Sequence, residues 1–169
     1  VVNHLNAKND STGDIRVVIA GGGGENEFTW QYLDSAYNSY TINSNEYTSI
    51  LEKAIAGNYR VSVTDKYNRL ISRDILVKQP ETNLDIVIYE YTDATCKDYE
   101  NASVKVTASG GWGEYQFKSD TEHYYENDSS WRDLDVRRHY FFVSDKSGAK
   151  DSVYIEITER EYLRSSVNF

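Results

Sequence analysis

The chain has 169 residues, one cysteine, one proline, 15 tyrosines, three tryptophans and a formal net charge of −9. An acidic surface repels phosphate backbones, which argues against nucleic acid as a partner, and a single Cys96 excludes both an internal disulfide and a cysteine-built zinc site. No window of 18 apolar residues occurs, so no helical membrane span is expected. The opening Val1, with no leader-like segment behind it, predicts a piece of a longer polypeptide.

Aromatic and β-branched residues interspersed with Gly, Asn, Ser and Asp predict an all-β protein. The charge is uneven: residues 1–80 carry 8 basic and 9 acidic side chains, and residues 81–169 carry 10 and 18. The chain begins in mid-strand or loop and reaches the turn-rich Lys8-Asn9-Asp10-Ser11-Thr12-Gly13. Ile15, Val17 and Ile19 then alternate as a strand, stopped by Gly21-Gly22-Gly23-Gly24. Phe28, Trp30 and Tyr32 form the next, with Trp30 placed to anchor a core between two sheets. Residues 34–49 are polar and rich in tyrosine, and predict a meander of short strands. Ile50 to Ile55 is too short for an independent helix and predicts a strand or turn leading into Gly57.

Tyr59, Val61 and Val63 alternate with Asn58, Arg60, Ser62 and Thr64, the period of a strand with one wet face. Asp65-Lys66-Tyr67-Asn68 is a turn, with an Asp able to bond its own backbone and an Asn tolerant of positive φ. Ile71, Arg73, Ile75 and Val77 then return, closing a hairpin. Tyr59 at the head of this strand predicts a buried ring whose hydroxyl bonds upstream backbone, a tyrosine corner. Pro80 punctuates the end of the module.

The same grammar then repeats. Leu84, Ile86, Ile88 and Tyr89 open a strand. Val104, Val106 and Ala108 follow Ile15, Val17 and Ile19 at an offset of ~89 residues, and Gly110-Gly111 follows Gly21-Gly22, as a repeat requires. Phe117 falls on Phe28, but Ser119 falls on Trp30, so Trp131 is a candidate to fill that space from another strand. The offset shrinks to ~80 by Asp145, and Gly148 lands on Asn68, both suited to a left-handed turn position. At the second hairpin either His139, Phe141 and Val143 or Tyr140 and Phe142 point inward, since a slip of one residue exchanges the faces. Two modules are expected, at 1–80 and 81–159, with 160–169 a C-terminal extension or the start of a further unit.

Gly13-Asp14-Ile15-Arg16-Val17-Val18-Ile19-Ala20-Gly21-Gly22, Phe28-Thr29-Trp30, Ala56 through Asp65 and Gln79-Pro80 together resemble the SprB repeat. Cys96 stands where that family usually has a cysteine; the first copy has Ala7 there. Polycystic-kidney-type modules share such a tyrosine strand, but Trp30-Gln31-Tyr32-Leu33-Asp34 does not supply their Trp-x-Phe-Gly-Asp-Gly stretch. The resemblance implies two tandem immunoglobulin-like β-sandwiches of about seven strands each. It also implies a secreted, cell-surface adhesin of gliding Bacteroidetes, in which such segments serve as stalk or adhesive module beside neighbouring repeats of the same polypeptide.

Catalysis finds no support in the residues. His4, His123 and His139 sit beside no nucleophile or metal-ligand motif, and no Lys-Ser/Thr follows Gly24 to make a phosphate loop. No cofactor is expected, although Asp10 with Asp14, and Asp93 with Asp98 and Glu100, place carboxylates in corresponding loops where calcium could bind. Asn9, Asn101 and Asn127 begin Asn-x-Ser sequons. The alternative to a spacer is a module that binds carbohydrate or protein through an aromatic surface in the second copy. Its candidate residues are Trp112, Tyr124, Tyr125 and Trp131, because rings at loop tips can stack on a sugar or a protein side chain.

Overall fold

The structure is a computed structural model. It describes residues 1–34, 39–41, 47–96, 100–120 and 129–160, of which 39–41 are described in their backbone only. Strands and connecting turns make up all of the described residues, and among them no helix is long and apolar enough to cross a membrane. The chain divides into two compact units, Val1–Asn83 and Leu84–Phe169. The first extends beyond Pro80 for a visible reason. Gln79 Oε1 accepts from the Asn9 N–H at 2.8 Å, and Asn83 Oδ1 from the Lys8 N–H at 2.7 Å, which ties the junction back to its own module.

In the first unit, β1 (Val2–Asn3), β2 (Gly13–Val18) and β5 (Thr48–Ala54) form one sheet in the order β1-β2-β5. The other comprises β3 (Glu27–Tyr32), β4 (Ser39–Thr41), β6 (Gly57–Thr64) and β7 (Leu70–Val77), ordered β4-β3-β6-β7. Ile15 from one sheet and Phe28, Trp30, Tyr59, Val61 and Val63 from the other close a core in which Trp30 is fully buried. Its indole N–H donates to Ser49 Oγ at 2.9 Å, so the ring is buried without an orphaned donor. Residues 50–55 lie on a strand and its end rather than a helix.

The second unit repeats the plan with β8 (Asp85–Thr92), β9 (Ala102–Ser109) and β11 (Ser130–Leu134) in one sheet. The facing sheet holds β10 (Gln116–Ser119), β12 (Arg138–Ser144) and β13 (Lys150–Glu156), with β12 in the centre. Sandwiches are thus present in both halves, as the alternation predicted, and they are immunoglobulin-like, as the resemblance implied. The copies agree in detail. Val2 pairs with Ile15 as Tyr91 pairs with Val104. The Leu5 N–H donates to Lys78 O at 3.0 Å as the Ala94 N–H donates to Thr158 O at 3.1 Å, locking the first strand of each module onto its last.

Asn68 and Gly148 both adopt positive φ, 60° and 85°, as the repeat alignment required. A second shared feature left no mark in the sequence. Two residues bulge opposite one in β5, between Leu51 and Ala54, and again in β11, between Trp131 and Leu134. Lys53 and Asp133 take matching left-handed conformations there, φ 56° and 58°. Both bulges lie on edge strands, where such a kink discourages pairing with another chain.

The hairpin register of the second unit is also settled. His139, Phe141 and Val143 are buried, whereas Tyr140 and Phe142 face outward. Tyr59 Oη donates to Ile55 O at 3.0 Å, and His139 Nε2 lies 2.9 Å from Asp135 O, each side chain reaching four residues back. Histidine therefore takes the tyrosine's place at this corner of the second copy.

Candidate functional site

Of the four aromatic residues expected to form a binding surface, the structure does not bring the two it describes together. Trp112 occupies the turn between β9 and β10, half-buried, and its backbone N–H donates to Asp145 Oδ2 at 2.8 Å. Trp131 requires a correction. Its side chain points into the core at 4% exposure, with its ring centroid 4.6 Å from that of Phe141, so its ring offers no exposed face for stacking. It supplies the core aromatic that Ser119 cannot. Tyr124 and Tyr125 lie outside the described residues, as does His123.

The carboxylates of the loops serve the fold. Asp65 Oδ1 accepts from the Tyr67 and Arg69 N–H groups at 2.9 and 3.0 Å, and Oδ2 receives the Arg69 guanidinium. Asp145 does the same for the second hairpin, but Ala149 stands in place of Arg69 and the Trp112 N–H takes the free oxygen instead. Burial opposes the charge of Asp145, and hydrogen bonds from Ser147, Trp112 and Ala149 outweigh it, leaving this carboxyl below the ordinary range. The Arg69 guanidinium above all holds the Asp65 carboxyl at about 2, against some desolvation and with help from the Arg69 and Tyr67 amides.

A pH dependence follows. A carboxyl depressed in the folded state adds stability that is fully present above its unfolded value near 3.8 and is lost as pH falls through about 2. Acid titration of the first unit should therefore show a loss of melting temperature between those values, and Asp65→Asn should flatten that part of the curve. A variant with the wild-type acid profile would remove Asp65 from the account.

Asp14 and Asp93 are similarly engaged. Asp14 Oδ1 accepts from Asn3 Nδ2 at 2.8 Å, and Asp93 Oδ1 accepts from the Thr158 N–H at 2.9 Å. Asp98 lies outside the described residues, and among those described no three His, Cys, Asp or Glu side chains converge as metal ligands. His139 is inaccessible and His4 Nδ1 accepts the Lys78 N–H at 3.2 Å, so both serve structure. A groove opens at each bulge. One of about 760 Å³ includes Asp14, Arg16 and Glu52; its counterpart of about 360 Å³ includes Ser103, Lys105 and Arg132.

Sequence reasoning did not single out the aromatic surface that does exist. On the outward face of the β10-β12-β13 sheet, Tyr140 pairs across strands with Tyr154, and Phe142 stands between Lys118 and Ser152. Tyr140, Phe142 and Tyr154 are 40%, 43% and 57% exposed. The Tyr140 and Tyr154 ring centroids lie 5.8 Å apart, and the Arg138 guanidinium sits 4.9 Å from the Tyr154 ring. The signal was available: extending the constant offset from Tyr59 to His139 puts Tyr140 and Phe142 outside.

Comparison with known proteins supports this architecture. Residues 88–118, from β8 through most of β10, match the family model of the SprB repeat, as the resemblance implied. No curated protein matches the chain. Among solved structures, the chain is similar to a C-terminal 282-residue fragment of intimin, solved with the intimin-binding domain of the translocated intimin receptor. The identity is 15% and the TM-score 0.56, covering 93% of this chain and 62% of the fragment. The fibronectin(III)-like modules of Clostridium thermocellum CbhA align at 16% identity and a TM-score of 0.43, over 98% of this chain and 99% of theirs. The chain spans less than two thirds of the intimin fragment, and the likeness is one of fold.

Proposed function

We propose, with an SprB repeat in the second copy as the premise, that this chain is a non-catalytic tandem segment of a secreted cell-surface adhesin. It acts as stalk and as adhesive module, with neighbouring repeats of the same polypeptide as its constant partners. The observation that supports this reading most directly is the duplication itself. Two sandwiches each close their own core and lock their first strand onto their last, leaving each module a self-contained bead of a repeat array. The intimin fragment, solved with the intimin-binding domain of a receptor, offers a precedent for protein binding by a chain of related fold. Repeat modules and sandwiches of this kind are typically non-catalytic, and fold by itself assigns no chemistry.

The test is location on intact cells. Antibody raised against this segment should label unbroken cells of the source organism, and external protease should abolish the label. Labelling only after lysis would overturn the reading.

A further inference from the structure

The two copies agree on their inward faces and part company on one outward face. Positions of Tyr140, Phe142 and Tyr154 in the second copy correspond to Arg60, Ser62 and Asp74 in the first. There the guanidinium holds the carboxylate through Nε at 2.6 Å and Nη2 at 2.8 Å, and Ser62 Oγ lies 2.9 Å from Ser72 Oγ. At these positions the first copy is polar and satisfied by its own side chains, with the exposed Leu70 and Leu76 at the two ends of the same face. A sandwich of this plan therefore closes without aromatic residues at these positions, and three adjacent exposed rings are not a requirement of the fold. Contiguous apolar surface of this kind marks an interaction site.

Charge identifies the occupant. Residues 81–169 carry 18 acidic and 10 basic side chains. The outward positions of this sheet reverse the balance: Arg138, Lys118 and Lys150 against Glu156, which faces Arg138 at 3.5 Å. An anionic polymer repelled by the rest of the module is drawn to this face. Neither of the two grooves lies there, and a protein hot spot would need a pocket to desolvate its anchor. An extended peptide would instead add to a sheet edge through its backbone. The Tyr140 and Tyr154 rings stand 5.8 Å apart across the strands, and alternate residues along one strand ~6.8 Å apart, the scale of one pyranose ring.

We propose that the outward face of the β10-β12-β13 sheet binds an acidic polysaccharide. Its sugar rings pack on Tyr140, Phe142 and Tyr154, and its carboxylates meet Arg138, Lys118 and Lys150. This deepens the adhesive reading above and rests on it.

Titration of the full chain with polygalacturonate, with dextran as the neutral control, tests it. The variant Tyr140→Arg/Phe142→Ser/Tyr154→Asp installs the pairing that the first copy already uses, so the fold is kept; a wild-type circular dichroism spectrum verifies this. The expected result is preferential binding of polygalacturonate, weakened by about tenfold or more in the triple variant. Lys118→Gln/Lys150→Gln should weaken binding and flatten its salt dependence. No binding of polygalacturonate, or binding indifferent to both variants, overturns the proposal. So does self-association in sedimentation that the triple variant abolishes, because the occupant would then be a second copy of the chain. Surface labelling of cells is independent of these outcomes. Persistent labelling with absent polysaccharide binding would remove the ligand and leave the adhesin reading standing.

Discussion

Truncating Trp131 to alanine should destabilise the second unit by about 3–5 kcal/mol, the cost of removing a large aromatic from a packed core. The side chain is 4% exposed and packs against Phe141, itself fully buried, among Val104, Val106 and Leu134. A module of this size has a total stability of only about 4–12 kcal/mol, so the loss is a large share of it. Thermal melts should show the second unit unfolding at markedly lower temperature. Trp112→Ala, at a half-buried turn whose Asp145 bond is made by backbone, should cost less than Trp131→Ala. Equal losses at both tryptophans would contradict the placement of Trp131 as the core anchor and Trp112 as a loop residue.

The corner at Tyr59 gives the second large effect. Its ring is 4% exposed, its hydroxyl donates to Ile55 O at 3.0 Å, and Tyr32 packs with ring centroids 5.0 Å apart. Tyr59→Phe keeps the ring and removes the bond, so about 1 kcal/mol should be lost from the first unit. Tyr59→Ala removes both and should cost about 3–5 kcal/mol. Gly57 constrains the same region. Its φ is 146°, and a Cβ there would run into the Tyr32 ring and the Asp34 carboxylate. Urea denaturation of the three proteins measures the series directly. Tyr59→Phe unfolding with the wild type would leave no energetic role for the hydroxyl.

The sandwich was legible because the core strands alternate cleanly. Ile15, Phe28, Trp30, Tyr59, Val61 and Val63 are apolar at period 2 and all are buried. The second hairpin was not legible by that rule. His139 through Val143 offers an apolar or aromatic side chain on either face, so periodicity cannot choose between registers. The choice is made by the corner: the inward residue must reach the carbonyl four residues back, and His139 does so with a ring nitrogen. Hydrophobicity alone would bury Tyr140 in preference to histidine. The bulge at Lys53 was hidden because a left-handed position usually announces itself with glycine, asparagine or aspartate, and the one at Asp133 because an aspartate is equally common in ordinary turns.

The candidate site was the least legible part. Trp131 was open to two readings, core filler and surface ring, because composition does not say which face of a short strand a tryptophan occupies; the core reading holds. Tyr140 and Phe142 were left open between core and surface, and Tyr154 was not singled out. Only the comparison of the two copies separates them, with a salt bridge and a serine pair in one set against three aromatics in the other.

Amide hydrogen exchange of the full chain, followed by mass spectrometry, tests most directly whether it is two copies of one self-contained module. In Tyr59→Ala, peptides from residues 1–83 should lose protection while those from 84–160 exchange as in the wild type. Trp131→Ala should give the reverse pattern. Loss of protection throughout the chain in either variant would show one cooperative unit and contradict the account.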